Sequence, residues 1–309
     1  MRGTVMTSEP VVAALMTIPS IALALGGGGV RGLAHVLVLE VFDEMRLRPK
    51  VIAGTSIGAW VGAAYALGLP ASRIRAMFEE TLSNRFDLMR QLFAARSDPV
   101  QKVLRLLPLR SSLLDPESVL ERLVPEFDNR TFADLKIPLK VVATDLVSRE
   151  AVVLEQGSLR RAVGASIAIP ILFTPVSDGS RLLVDGGLVN PLPYDLVMGE
   201  ADITVAIDIS GASKEARYPG RPTALDMMIH SLQIMEKSIT REKLKSLKPD
   251  IYVDVDLDGF NALEVWRSKE ILKAAQPVKD QLRRQLEQMI AAHKPDALPA
   301  PSGARSPKS

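Results

Sequence analysis

The stretch Val51-Ile52-Ala53-Gly54-Thr55-Ser56-Ile57-Gly58-Ala59-Trp60 constrains the chain most. A short apolar run, suited to a buried strand, meets a glycine. A serine follows two residues later, then a second glycine, then the small, helix-favouring run Ala59 to Leu67. This order predicts a strand, a sharp turn and a helix, with Ser56 at the turn. It is the G-x-S-x-G arrangement of a nucleophile elbow, which exposes a serine Oγ at the carboxyl end of a strand. Gly54 and Gly58 flank the serine because a Cβ at either place would strike a neighbouring strand or helix. Ordinary strand-to-helix turns also use Gly and Ser, so the five residues alone leave the function open.

Upstream, Ile21 to Leu25 reads as a strand. Gly26-Gly27-Gly28-Gly29-Val30-Arg31-Gly32 follows, then helical spacing over Leu33 to Met45. Strand, glycine loop, helix, strand, serine turn and helix in succession imply an α/β fold with a wound, largely parallel sheet. Further strands are expected at 139–144, 152–154, 182–184, 203–209 and 251–255. Helices are expected across 71–123, 159–167 and 225–247, and in a last stretch to about His293, broken near Pro277. No internal repeat or linker divides the chain. One domain over 18–293 is expected, with a helical cap region at about 71–123. Residues 1–17 read as an extension and 294–309, rich in Pro, Ala, Gly and Ser, as a disordered tail.

Composition narrows the classes. A net charge of +2 points to neither nucleic acid nor an acidic partner. Aromatics at 5% argue against stacking platforms for single-stranded nucleic acid. The chain has no cysteine, which excludes thiolate catalysis and fits a reducing compartment. Glu9, Pro10 and Pro19 interrupt the apolar runs near the N-terminus, so neither an export signal nor a membrane span is expected. A cytoplasmic protein is the expectation.

Gly27, Gly29 and Gly32 match the dinucleotide pattern G-x-G-x-x-G. That pattern needs an acidic residue about 20 positions on, at the end of the second strand. Gly54-Thr55-Ser56 stands there instead. A Walker loop fails as well, because no Gly-Lys-Ser/Thr follows. The better reading is an oxyanion hole, in which consecutive glycines let backbone N–H groups converge on one point. Each such donor is worth about 3 to 4 kcal/mol toward an acyl-transfer transition state. Arg31 is out of place at a helix N-terminus, where a cation is disfavoured. Either an anionic partner, such as a carboxylate or a substrate phosphate, relieves the conflict, or the side chain reaches solvent.

A serine nucleophile needs a proton acceptor. Of the three histidines, His35 lies on the first helix, His230 inside an amphipathic helix and His293 at the start of the tail. None follows a strand, where a triad histidine usually stands. The carboxylates at strand ends are Asp145, Asp185 and Asp208. Asp185 is followed by Gly186-Gly187, which leaves it bare and open to close approach. Spacing alone does not choose among the three.

Together these segments resemble the patatin-like phospholipase family of serine lipid acyl hydrolases, over about Ile18 to Val255. Gly27-Gly28-Gly29-Val30-Arg31-Gly32 looks like the family's oxyanion loop, Gly54-Thr55-Ser56-Ile57-Gly58 like its elbow, and Asp185-Gly186-Gly187 like its Asp-Gly-Gly. Ala143-Thr144-Asp145 and Ala165-Ser166-Ile167-Ala168-Ile169-Pro170 resemble further family blocks. The resemblance implies a three-layer α/β/α fold and a Ser-Asp dyad. Ser56 would be the nucleophile, Asp185 the base, and the backbone of Gly27, Gly28 and Gly29 the oxyanion hole. Arg31, Gly54, Gly58, Gly186 and Gly187 would support them, and His35 would be a packing residue. No metal or cofactor is required. The implied substrate is a fatty-acyl ester of a phospholipid, lysophospholipid or related lipid. A thioesterase or acyltransferase with the same dyad, or a non-catalytic regulator on the same fold, stands as the alternative.

The stretch Arg85 to Arg110 carries six basic residues against two acidic ones, interleaved with Phe86, Leu88, Met89, Leu92 and Phe93. Its composition is that of an interfacial segment. It is expected to cap the Ser56 cleft and touch an anionic membrane surface, or else to pack on the domain with a solvated basic face.

Overall fold

In a computed structural model the described residues are 18–83, 114–211, 224–257, 259–260, 262 and 264–293. The extension at 1–17, most of the expected cap, including the basic stretch 85–110, and the tail at 294–309 lie outside them.

Among the described residues, eight strands form one sheet. They are β1 (Ile21–Leu25), β2 (Val51–Thr55), β3 (Leu139–Asp145), β4 (Glu150–Leu154), β5 (Val176–Asp178), β6 (Arg181–Asp185), β7 (Ile203–Asp208) and β8 (Ile251–Asp254). The helices are α1 (Leu33–Glu44), α2 (Ile57–Ala66), α3 (Ala71–Ser83), α4 (Pro116–Leu123), α5 (Leu159–Ser166), α6 (Ala224–Ser246), α7 (Ser268–Ala275) and α8 (Pro277–Ala292). The pairs β3-β2, β2-β1, β1-β7 and β7-β8 are parallel, whereas β3-β4, β3-β6 and β5-β6 are antiparallel. The mostly parallel α/β sheet is therefore as expected.

Alternation along the central strands explains the layers. Ile21, Leu23 and Leu25 of β1 join the large cluster that also holds Val36, Leu37 and Phe42 of α1, Val61 of α2 and Leu282 of α8. Ala22 and Ala24 face the other way, with Ala53 and Ala206. Successive strand residues point to opposite faces. One face is thus built of large side chains and the other of small ones. On the small-residue face Tyr194 fills the space and Leu244 and Leu247, from the end of α6 and just beyond, pack against it. Helices cover both faces.

One register positions the site. Thr55, the last residue of β2, pairs with Val142 of β3, and Asp185, the last of β6, pairs with Ala143. β4 runs along the other edge of β3, from Val141 to Asp145. So β2 and β6 share a single edge of β3, run toward each other, and end at consecutive positions.

The helical stretch expected over 71–123 is α3 and α4 within the described residues. Strand β5 was not expected, and β4 begins two residues before the predicted run.

Candidate active site

Ser56 sits at the join of β2 and α2 with φ 55° and ψ −123°. That backbone is one L-residues rarely adopt, and its occurrence at a turn marks a strained, over-determined position. The flanking glycines are sterically required. A Cβ on Gly54 would lie 2.6 Å from the Ala59 backbone, and one on Gly58 would lie 2.2 Å from the Leu25 carbonyl oxygen. The Ser56 N–H donates to Ser166 Oγ at 2.8 Å, which ties the elbow to the end of α5.

Ser56 Oγ donates to Asp185 Oδ2 at 2.6 Å. The other oxygen, Oδ1, accepts the Gly187 N–H at 2.8 Å. The Asp185 backbone is fixed as well: its N–H donates to the Ala168 carbonyl, and its own carbonyl accepts Thr144 Oγ1 at 2.9 Å. Burial pushes the Asp185 carboxyl up to about 6, against the bonds from Ser56 and Gly187, which favour its charged form.

The competing carboxylates do structural work. Asp145 accepts the N–H groups of Val147, Ser148 and Leu182, which hold it below the ordinary aspartate range despite some desolvation. Asp208 is buried and receives Lys237 Nζ at 2.9 Å, Tyr252 Oη at 2.8 Å and the Ser210 N–H at 2.8 Å. Among the three strand-end aspartates, only Asp185 meets Ser56.

Gly28 and Gly29 line one cavity with Ser56 and Asp185, together with Ile169, Pro170, Leu188 and residues of α6. Gly27 differs from the sequence expectation. Its N–H donates to the Pro191 carbonyl at 2.9 Å, so it is committed to the fold. Gly26 is held at both ends, by its N–H on the Ile207 carbonyl and by His35 Nε2 on its own carbonyl at 2.8 Å. His35 is wholly buried, and desolvation lowers it to about 4. A neutral imidazole donating from Nε2 satisfies that geometry. It is the packing residue expected.

Arg31 does not reach solvent. It is 3% exposed and donates from Nε to the Gly28 carbonyl at 3.1 Å and from Nη1 to the Ser210 carbonyl. Two carbonyls thus hold the guanidinium against the glycine loop. Among the described residues no group of three His, Asp or Glu side chains is placed to hold a metal. No described helix is long and apolar enough to cross a membrane.

A family model described as Patatin-like phospholipase matches residues 23–198. The chain belongs to the patatin-like phospholipase family. The match includes the glycine loop, the elbow and Asp185-Gly186-Gly187, and stops before α6. An uncharacterized NTE family protein of Mycobacterium tuberculosis is 35% identical over 221 residues, covering 69% of this chain and 56% of that protein. Mouse patatin-like phospholipase domain-containing protein 6 is 32% identical over 202 residues, covering 64% of this chain and 14% of that one. The chain spans about half or less of the length of these curated relatives. Among solved structures, VipD from Legionella pneumophila aligns with a TM-score of 0.46 at 15% identity, covering 87% of this chain and 67% of that one.

Two polar residues at the patatin-like site escaped the sequence reading: Gln233 and Glu236, both on α6 and both lining the cavity. A signal was present. Positions 229, 232, 233 and 236 share one helical face, and a Gln and a Glu on a face with Ile229 and Leu232 break its apolar pattern.

Proposed function

We propose that the chain is a serine acyl hydrolase that cleaves fatty-acyl esters of phospholipids, lysophospholipids or related lipids through Ser56 and Asp185. The observation that carries this reading is the 2.6 Å hydrogen bond from Ser56 Oγ to a buried carboxylate whose pKa is pushed up to about 6. An aspartate at its ordinary pKa is a weak base at neutral pH, and raising it brings it closer to the working range.

In the first step Ser56 Oγ attacks the ester carbonyl carbon while its proton passes to Asp185 Oδ2. The carbonyl oxygen becomes the oxyanion, and the N–H groups of Gly28 and Gly29 are the donors proposed for it. The tetrahedral species collapses, the C–O bond to the alcohol breaks, and Asp185 returns the proton to the leaving oxygen. Ser56 now carries the acyl group. Water then gives a proton to Asp185 and its oxygen bonds to the acyl carbon. The bond to Ser56 Oγ breaks, the proton returns to Ser56, and a fatty acid leaves. Each half-reaction restores Asp185 to its charged form.

The test is turnover of a p-nitrophenyl ester by the wild type, Ser56→Ala and Asp185→Asn, with intact-mass detection of a fluorophosphonate adduct. One adduct on the wild type, none on Ser56→Ala, and loss of turnover in both variants are expected. Undiminished turnover in Ser56→Ala sinks the reading.

A further inference from the structure

Helix α6 lies beyond the segment matched by the family model, yet it forms one wall of the cavity through Ile229, Leu232, Gln233 and Glu236. The cavity is about 40 Å³. Ser56 and Asp185 line the same cavity, so this wall faces the part of the substrate next to the scissile bond.

Two features make the wall chemically specific. The Gln233 side-chain nitrogen is buried and has no hydrogen-bond partner among the described residues. A buried unpaired donor weakens a fold, and a ligand acceptor is one reason to keep it. The second feature is Glu236. A Cβ on Gly187 would lie 2.5 Å from Glu236 Oε1 and 3.1 Å from Asp185 Oδ1. The missing side chain at Gly187 is what admits the Glu236 carboxyl to the neighbourhood of Asp185. The two oxygens are less than about 6 Å apart, within the range where like charges disfavour each other's ionised forms.

Burial first, then the charge on Asp185, push Glu236 up to about 8. Arg31 opposes this and Asp208 adds to it. The protonated form that these neighbours favour is a carboxylic acid, with one O–H donor and a carbonyl acceptor. An anion is a poor guest for this wall, because the Asp185 carboxylate stands beside it. Arg31, the cation among the described lining residues, already has Nε and Nη1 on backbone carbonyls.

Building on the hydrolase reading, we propose that Gln233 and Glu236 form a polar subsite beside Ser56 that binds an uncharged oxygen of the substrate's alcohol portion, a hydroxyl or a second ester. The subsite favours polyol esters, of the glycerol class, over simple alkyl esters. Gln233 donates to that oxygen, and Glu236 donates to it or accepts from its hydroxyl.

The test compares 1-monooctanoylglycerol with ethyl octanoate, which share an acyl chain and whose alcohol portions differ in two hydroxyls and one carbon. Wild type, Gln233→Leu, Glu236→Leu and Glu236→Gln are assayed on both. The wild type is expected to prefer the glycerol ester in kcat/KM. Either leucine variant is expected to reduce that preference about tenfold, through KM for the glycerol ester, the size of one or two lost hydrogen bonds. Glu236→Gln keeps a donor and an acceptor and is expected to retain most of the preference. Should Glu236→Leu fail to fold, Gln233→Leu and Glu236→Gln carry the test, with loss of the preference expected in the first and its retention in the second. Equal losses on both esters, or an unaltered preference, overturn the subsite. A wild type that neither turns over ethyl octanoate nor forms a fluorophosphonate adduct overturns the hydrolase reading itself, and the subsite with it.

Discussion

Ser166 joins the nucleophile's backbone to strand β3: its Oγ accepts the Ser56 N–H at 2.8 Å and donates to the Val142 carbonyl at 2.6 Å. Both partners are buried, and the hydroxyl is the bridge between them. Ser166→Ala leaves a donor and an acceptor unpaired. Urea unfolding is expected to show a loss of roughly 1–3 kcal/mol. Turnover is expected to fall as well, because the elbow loses the bond that fixes its peptide.

The elbow's own strain has a measurable sign. With φ at 55° and ψ at −123°, Ser56 holds a backbone that glycine adopts more readily. Ser56→Gly and Ser56→Ala are both expected to be inactive. Ser56→Gly is expected to be the more stable of the two by about 1–3 kcal/mol, since only it releases the strain. Paired denaturant titrations compare them.

Asp185 predicts opposite pH trends for activity and stability. As a base it must be charged, so kcat/KM is expected to rise with pH through a limb near 6. Its folded pKa lies above the ordinary 3.8, so the folded state holds the proton more tightly. That contribution to stability is complete below about pH 4 and is withdrawn as pH rises through about 6, by about 3 kcal/mol in all. Asp185→Asn never becomes charged. It is expected to be inactive and, at pH 8, more stable than the wild type in thermal unfolding.

His35 runs the other way. Its folded pKa, lowered to about 4, lies below the ordinary 6.5, so the unfolded chain binds the proton first. Stability from the neutral, buried ring is complete above about pH 6.5 and is lost as pH falls toward 4, by up to about 3 kcal/mol. His35→Gln is expected to flatten the acid limb of a stability-versus-pH curve, measured as a difference from the wild type to cancel other groups.

Much of this was legible in the chain because its signals are local. The apolar runs at Ile21 and Val51, the glycine loop and Gly54-x-Ser56-x-Gly58 each declare an element within a few residues, and the elbow forms as read. What local pattern could not reach was pairing. Asp145, Asp185 and Asp208 all end strands, and the choice among them depends on how β6 registers on β3. The commitment of Gly27 depends on Pro191, far along the chain. Strand β5 has three residues, too few to display a period of two. Gln233 and Glu236 did leave a mark, as polar residues on an otherwise apolar helical face, but nothing in α6 alone says that the face borders Ser56.

The meeting of β2 and β6 on one edge of β3 makes that strand a ruler. The nucleophile and its acceptor are 129 residues apart, yet their spacing is set by the single step from Val142 to Ala143. Residues added at an exposed turn of the β3-to-β6 connection, such as Gly179-Ser180 between β5 and β6, lengthen a loop without moving either group, unlike the Ser166 to Ala168 part that is bonded to both. A slip of β6 by two residues, which keeps its side chains facing the same way, carries Asp185 about 7 Å along the strand and beyond reach of Ser56. Surface loops of this chain are therefore open to extension, while β3 tolerates neither insertion nor deletion.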